Sequence, residues 1–379
     1  MRPRRVPRLA GATAVAALLV ALGAGASPAS AGGSWRAVAE LGPGTPGRVA
    51  CSSTTCLALA NDSIDGAGAR GTWRTLYTVR GSGTSSTSFS DVACDAMLCV
   101  AVANSTGTRR GHSVSGPDAF VTTSGGRRWS GHALTTVKGA TSTQVLDVAC
   151  GGPRSCLAVG YYYGATSSGG VAWSSDDAGA TWSGRLLPHG VVGGALACSS
   201  ARACVMASGA LEVTTTGPGG FRALLTPHPW GSRTPAFESV ACVGSLACVV
   251  AGYATPSGQP CRSSSCRPVL LATPDGEHWG AVALPRAVSG QLVQVSCASA
   301  KECVAVGDAP SGDPLGGASL VLRGAIGSPW RAVALPRPPS GQWIGASGVG
   351  CTTHGLCRTG DLFDRRGGEN FPYTLAGPA

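Results

Sequence analysis

The sequence predicts an all-β fold, a seven-bladed β-propeller of four-stranded antiparallel blades, and three observations predict it. Seven cysteine pairs of C-x4-C or C-x5-C spacing share one frame, each led by a small or β-branched residue and followed by an apolar run. Their first cysteines advance by 43, 56, 48, 44, 55 and 54 residues, a mean of 50, which suits one four-stranded blade. Trp35–Leu41 (WRAVAEL) repeats the WRAVALP that starts at Trp330, so an early strand is available to complete a sheet begun by the last hairpin. Pairing the two ends in one sheet removes the open edges that a linear array would leave.

The chain opens with Arg2, Arg4, Arg5 and Arg8, then the alanine- and leucine-rich Ala10–Ala24, then Ala29-Ser30-Ala31. A basic, an apolar and a small-residue region in that order read as a secretory signal peptide spanning 1–31. The apolar run falls short of the roughly 20 residues a membrane span requires, and no later segment is long and apolar enough to anchor the chain. Residues 32–379 read as a single propeller domain, secreted and monomeric. Removing four arginines takes the formal charge from +10 to +6, and the remaining basic residues are scattered. A nucleic-acid face clusters them instead, so that class is excluded.

All sixteen cysteines lie beyond residue 31 and form close pairs: Cys51/Cys56, Cys94/Cys99, Cys150/Cys156, Cys198/Cys204, Cys242/Cys248, Cys261/Cys266, Cys297/Cys303 and Cys351/Cys357. Zinc sites favour C-x2-C pairs or closely spaced histidines, and the six histidines show no such rhythm. Local disulfides in an oxidising compartment are expected, with neither metal nor cofactor. Cys261/Cys266 stands outside the frame, in an insertion at Thr255–Arg267 that the pair is expected to shape.

Each unit continues with a third strand, such as Gly170–Ser175 or Val269–Pro274, and a glycine-bearing turn. An aromatic residue then opens the fourth strand: Trp73, Trp129, Trp182, Phe221, Trp279 or Trp330. In Ser175-Asp176-Asp177-Ala178-Gly179-Ala180-Thr181-Trp182, the hydroxyl and the carboxylate can accept turn N–H groups while Gly179 takes positive φ. Thr273–Trp279, with Asp275 and Gly276, is a shortened copy, and Thr122–Trp129 is a degenerate one without the aspartate.

This S-x-D-x-G-x-T-W turn resembles the Asp-box of BNR-repeat propellers, a broad superfamily that includes sialidases, sortilin-type receptors and photosystem II assembly-factor-like proteins. The cysteine hairpin is similar to that of a secreted bacterial group of propellers without an assigned activity. The resemblance implies a structural role for Ser175, Asp177, Gly179, Thr181, Trp182, Asp275, Gly276 and Trp279. Sialidases use an arginine triad and a tyrosine–glutamate pair; Arg48-Val49-Ala50 departs from the family's first-blade motif, and no catalytic residue carries over.

In a four-stranded meander the cysteine turns and the Asp-type turns share one face, so a ligand at the funnel mouth belongs on the other. The position five residues after each second cysteine begins the connection on that face. Asn61, Asn104, Tyr161, Tyr253 and Asp308 occupy it, with Asp361 matching after a one-residue gap; Tyr162, Trp230 and Trp343 add aromatic surface. Aromatic faces with amides and carboxylates suit carbohydrate or peptide. The expected function is therefore non-catalytic recognition of cell-surface carbohydrate or an exported protein. The alternatives are a glycoside hydrolase using Asp308 and Asp361, or an assembly or stability factor for an envelope complex.

Overall fold

Strands that are covered on both faces show continuous apolar runs rather than alternation, and the stretches after each second cysteine behave this way. Val100–Ala103, Val249–Ala251 and Cys303–Val306 are fully buried. Their small side chains allow a sheet to pack closely on either side.

The computed structural model describes residues 35–40, 47–60, 62–68, 73–79, 86–109, 112–188, 191–208, 211–214, 221–224, 230–256, 265–309, 318–336, 346–360, 362–366 and 369–378. They belong to one compact unit. The expected signal peptide, Asn61, Cys261, Trp343 and Asp361 lie outside the described residues.

Strand β1 (Arg36–Glu40) precedes the first blade, β2 (Val49–Cys51), β3 (Thr55–Leu59), β4 (Ser63–Gly68) and β5 (Arg74–Thr78). The second blade holds β6 (Ser86–Asp95), β7 (Leu98–Arg109), β8 (His112–Thr122) and β9 (Ser130–Ala133). The third holds β10 (Ala140–Cys150), β11 (Cys156–Gly164), β12 (Ser168–Ser175) and β13 (Ser183–Leu186). The fourth is shorter, with β14 (Ala195–Ser200), β15 (Ala203–Ala207), β16 (Leu211–Thr214) and β17 (Arg222–Leu224). The fifth comprises β18 (Arg233–Val243), β19 (Ala247–Pro256), β20 (Arg267–Thr273) and β21 (Gly280–Ala281). The sixth comprises β22 (Gln291–Ser299), β23 (Glu302–Ala309), β24 (Ala318–Gly324) and β25 (Arg331–Ala332). Each is an antiparallel meander in chain order.

The expected count of seven four-stranded blades is corrected here: among the described residues six sheets are four-stranded blades, and the sheet at the chain ends is not. After β26 (Gly348–Cys351) come β27 (Leu356–Gly360) and β28 (Leu362–Arg366), on either side of a position outside the described residues. Both pair with β29 (Glu369–Pro378), giving a five-stranded sheet in the order β1-β29-β27-β26 with β28 beside β29. Strand β1 lies antiparallel on β29, with Glu40 opposite Tyr373, and Trp35 just before it is buried. The innermost strands touch in succession, β2, β6, β10, β14, β18, β22, β26 and back to β2, so the sheets surround one channel.

Among the described residues seven disulfides join directly opposed residues at the first turn of each sheet. They are Cys51–Cys56, Cys94–Cys99, Cys150–Cys156, Cys198–Cys204, Cys242–Cys248, Cys297–Cys303 and Cys351–Cys357, with Cα separations of 3.9–4.1 Å. Such close pairs are the non-hydrogen-bonded positions of an antiparallel ladder. Cys266 is also disulfide-bonded. The second cysteine of each hairpin lies inside the fold rather than at its surface. Cys56, Cys248, Cys303 and Cys357 are 0% exposed and Cys99 is 1% exposed, because each opens an apolar strand covered on both faces. These sulfurs are core side chains as well as cross-links.

The turn at Ser175–Trp182 is held by its own side chains. The Ser175 hydroxyl accepts from Gly179 N (2.9 Å) and donates to Asp177, which accepts from the N–H and hydroxyl of Thr181 (2.9 and 2.6 Å). These donors hold the Asp177 carboxyl down at about 2. Gly179 has φ 82°, and Trp182 Nε1 donates back to its carbonyl (3.0 Å). Thr273, Asp275 and Gly276 repeat the pattern, with Trp279 donating to Gly276 O. The degenerate copy keeps it too: Ser124 Oγ takes Arg128 N (2.9 Å) where the others use an aspartate.

Candidate functional site

The ionisable side chains converge in the channel, at a position the repeat pattern does not advertise. Three residues before each first cysteine stand Arg48, Asp91, Asp147, Ala195, Ser239, Gln294 and Gly348. In β6, β10, β18 and β22 the ladder shifts register immediately before this position, between Phe89 and Asp91, Val145 and Asp147, Phe237 and Ser239, and Leu292 and Gln294. A bulge re-aims the residue after it, and Arg48, Asp91, Asp147, Ser239 and Gln294 all line one cavity of about 310 Å3.

These side chains tie each sheet to the next. Asp91 Oδ2 accepts from Val148 N (3.2 Å), Asp147 accepts from Leu196 N, Ser239 Oγ accepts from Val295 N (3.1 Å) and Gln294 Oε1 accepts from Val349 N (2.9 Å). In every case the acceptor on one sheet takes the N–H of the following residue position on its neighbour. Gly348 offers no side-chain acceptor, and Gln294 covers the gap: Oε1 also takes Val49 N (3.3 Å) and Nε2 donates to Val49 O (3.1 Å). A Cβ at 348 would stand 2.7 Å from Gln294 Oε1 and strike Gly47 O, so only glycine lets the amide pass.

Arg48 crosses the channel. Its Nη1 donates to Val293 O (3.0 Å) and Nη2 to Glu238 O (3.1 Å), the carbonyls of two bulge residues on the sixth and fifth blades. A bulge leaves such groups without a ladder partner, and the flat guanidinium fork satisfies both. Arg48 also lines a second cavity of about 260 Å3, with Ser88, Phe89, Ser90 and Ser347, so it stands at the boundary between the two.

Asp91 and Asp147 are hydrogen-bonded to each other and fully buried. Burial pushes the Asp147 carboxyl well above its ordinary range, the Asp91 charge pushes the same way, and the Arg48 charge opposes both. Burial raises Asp91 as well, while its contacts with Arg48 and Asp147 draw it back. The pair therefore holds a proton between its two carboxyls. Two carboxyls this close cannot both ionise cheaply. The folded state binds a proton that the unfolded chain releases near the normal carboxylate pKa, so stability falls as pH rises through the interval above that pKa. Asp147→Asn keeps the donor without the titration. Thermal unfolding between about pH 4 and 8 should show this variant more stable than the parent at neutral pH and with a flatter slope; parallel curves would refute the shared proton.

The described residues expected on the ligand-binding face lie outside this channel cavity. Asn104 is engaged by the third blade: Oδ1 accepts Val145 N (2.9 Å) and Nδ2 donates to Val145 O (2.9 Å) and Ser90 Oγ. Asp308 accepts from Gln291 Nε2 (3.0 Å), and burial raises its pKa. Burial, then the Glu238 charge, raises that of Tyr253. Tyr161 donates to Gln144 Oε1 and meets Tyr163 edge to face at 5.3 Å, whereas Tyr162 packs with the core between the second and third blades. Trp230 meets Phe237 edge to face at 6.2 Å and lines a groove of about 340 Å3 with Arg233, Arg267, Val282 and Leu284. Among the described residues expected on that face, Trp230 alone lines one of these three cavities.

No family model matches the chain, and no curated protein matches it. Solved structures do. YCF48 bound to D1 peptide superposes with a TM-score of 0.54 at 14% identity, over 91% of this chain and 96% of that one. YCF48 from Cyanidioschyzon merolae gives 0.51 at 11% identity, over 91% and 99%. The GH74 xyloglucanase from Xanthomonas campestris gives 0.54 at 13% identity; the match covers 87% of this chain but 53% of the enzyme. At these identities the likeness shows the β-propeller fold alone.

Proposed function

We propose that the chain is an exported, non-catalytic binding propeller that recognises cell-surface carbohydrate or another exported protein. The observation that carries the reading is the commitment of Arg48, Asp91 and Asp147 to inter-sheet contacts inside the channel. Their two carboxyls share a hydrogen bond, unlike the roughly 5–9.5 Å pairs of glycosidases. Recognition then falls to the outer surfaces, as in the groove where Trp230 lies beside Arg233 and Arg267. A solved propeller of similar fold holds a peptide, which supports protein as one partner class. In this reading residues 1–31 are removed on export, the seven disulfides form in an oxidising compartment, and the Ser175–Trp182 and Thr273–Trp279 turns are structural Asp-boxes.

A second reading, glycoside hydrolysis, draws on Asp308, whose burial-raised carboxyl has the character of a general acid. Folded protein lacking 1–31 should bind on a glycan array or capture a partner from the secreted fraction, without turnover. Binding to neither would refute the proposal. Hydrolysis of a bound glycan, lost in Asp308→Asn, would favour the second reading.

A further inference from the structure

Resting on the binding reading above, we propose that the step between the third and fourth blades is a site for a neutral glycan chain, seated on Tyr161 and Tyr163. The two blades differ in height. Counting from the disulfides, β14 and β15 stop pairing at Ala195 opposite Ala207, the equivalent of Asp147 opposite Val159. Strands β10 and β11 continue to Ala140 opposite Gly164. Residues 160–164 of β11 therefore rise above the neighbouring sheet.

Strand alternation decides which side chains occupy that rise. Leu157 and Val159 pack against the fourth blade, in the cluster that includes Leu196 and Met206. Tyr161 and Tyr163 continue the same row, beyond the height at which those pairs end. Opposite them on β12 stand Gly170 and Ser168, which leave the rings uncovered from that strand. Tyr163 is 53% exposed and Val192 47%, the two highest values among the described large apolar residues. Val192 belongs to the same place: Gly170 N donates to Val191 O (3.0 Å), and Gly193 packs on the backbone of Gly160.

The side chains of this row and those opposite it are amphipathic and uncharged. Thr141, Gln144, Tyr161, Tyr163, Ser168 and Val192 carry no formal charge. A sialylated or uronic-acid glycan would find no counter-charge on them, and charged partners are disfavoured where their charges go unpaired. A neutral sugar presents apolar C–H faces to tyrosine rings and hydroxyls to polar groups. The edge-to-face rings supply broad apolar contact with a polar tip. The Tyr161–Gln144 bond commits the amide oxygen and leaves the amide nitrogen as a donor for a sugar hydroxyl.

The test is calorimetric titration of protein lacking 1–31 with cellohexaose, laminarihexaose and chitohexaose, with polysialic acid and heparin as charged comparators. At least one neutral oligosaccharide should bind, and Tyr163→Ala should weaken it about tenfold or more, as loss of a central aromatic contact does. Tyr163→Phe should retain most of the affinity, and Trp230→Ala all of it. Tyr163 is exposed, so its substitution should leave the melting temperature unchanged. Binding of charged glycans only, of no glycan, or unchanged affinity in Tyr161→Ala/Tyr163→Ala overturns the site. Capture of an exported protein in those circumstances leaves the binding reading standing; its absence as well removes both.

Discussion

Arg48→Ala should lower the unfolding free energy by on the order of 3 kcal/mol, a large loss for one side chain. The substitution strands the Val293 and Glu238 carbonyls, which accept its two nitrogens across the channel. It also removes the positive charge that draws down the pKa values of Asp91 and Asp147. Arg48→Lys should recover only part of the loss, because an ammonium group does not present the paired, planar donors that match two carbonyls. Urea titration with a common slope reads the difference. An Arg48→Ala midpoint indistinguishable from the parent would show that the crossing contributes nothing.

Complete reduction of the disulfides should have a still larger effect. Each described bridge closes a loop of about six residues, worth roughly 2 kcal/mol in the chain-entropy model. Seven together rival the roughly 5–15 kcal/mol that holds a typical domain folded. Protein reduced in denaturant and returned to reducing buffer should lose most of its β-sheet circular dichroism and become open to protease. Cys150→Ser/Cys156→Ser alone should cost only its local share. Refolding of fully reduced chain to the parent midpoint, with thiols confirmed by mass, would contradict this.

The hairpins, their cysteine partners and the aromatic that opens each fourth strand are local features, so they are visible as spacing. Which cysteine of a pair is buried is not, since that depends on the neighbouring sheets that cover Cys99 and Cys248. The Ser175–Trp182 turn is legible because the hydrogen bonds of its Ser175, Asp177 and Trp182 side chains each span four residues or fewer. The channel ring is half-legible. Aligning the repeats shows Arg48, Asp91, Asp147, Ser239 and Gln294 as polar residues in an apolar lead. Only the register shifts beside Asp91, Asp147, Ser239 and Gln294 reveal that they point inward. Asn104 has a contact that its place at a polar strand end does not reveal: Val145 on the adjacent sheet takes both ends of its amide.

Closure between β1 and β29 also sets an order of events. Arg36 finds its partner at Ala376, so β1 depends on a strand made after every other described one. Until β29 emerges β1 lacks this partner, and the contact closes a loop that contains all the blades. Contacts so distant in sequence slow folding and leave strands available to other chains. The six local blades can fold as they emerge, while the final joining is a late and vulnerable moment, when a second copy could supply the missing strand by domain swapping.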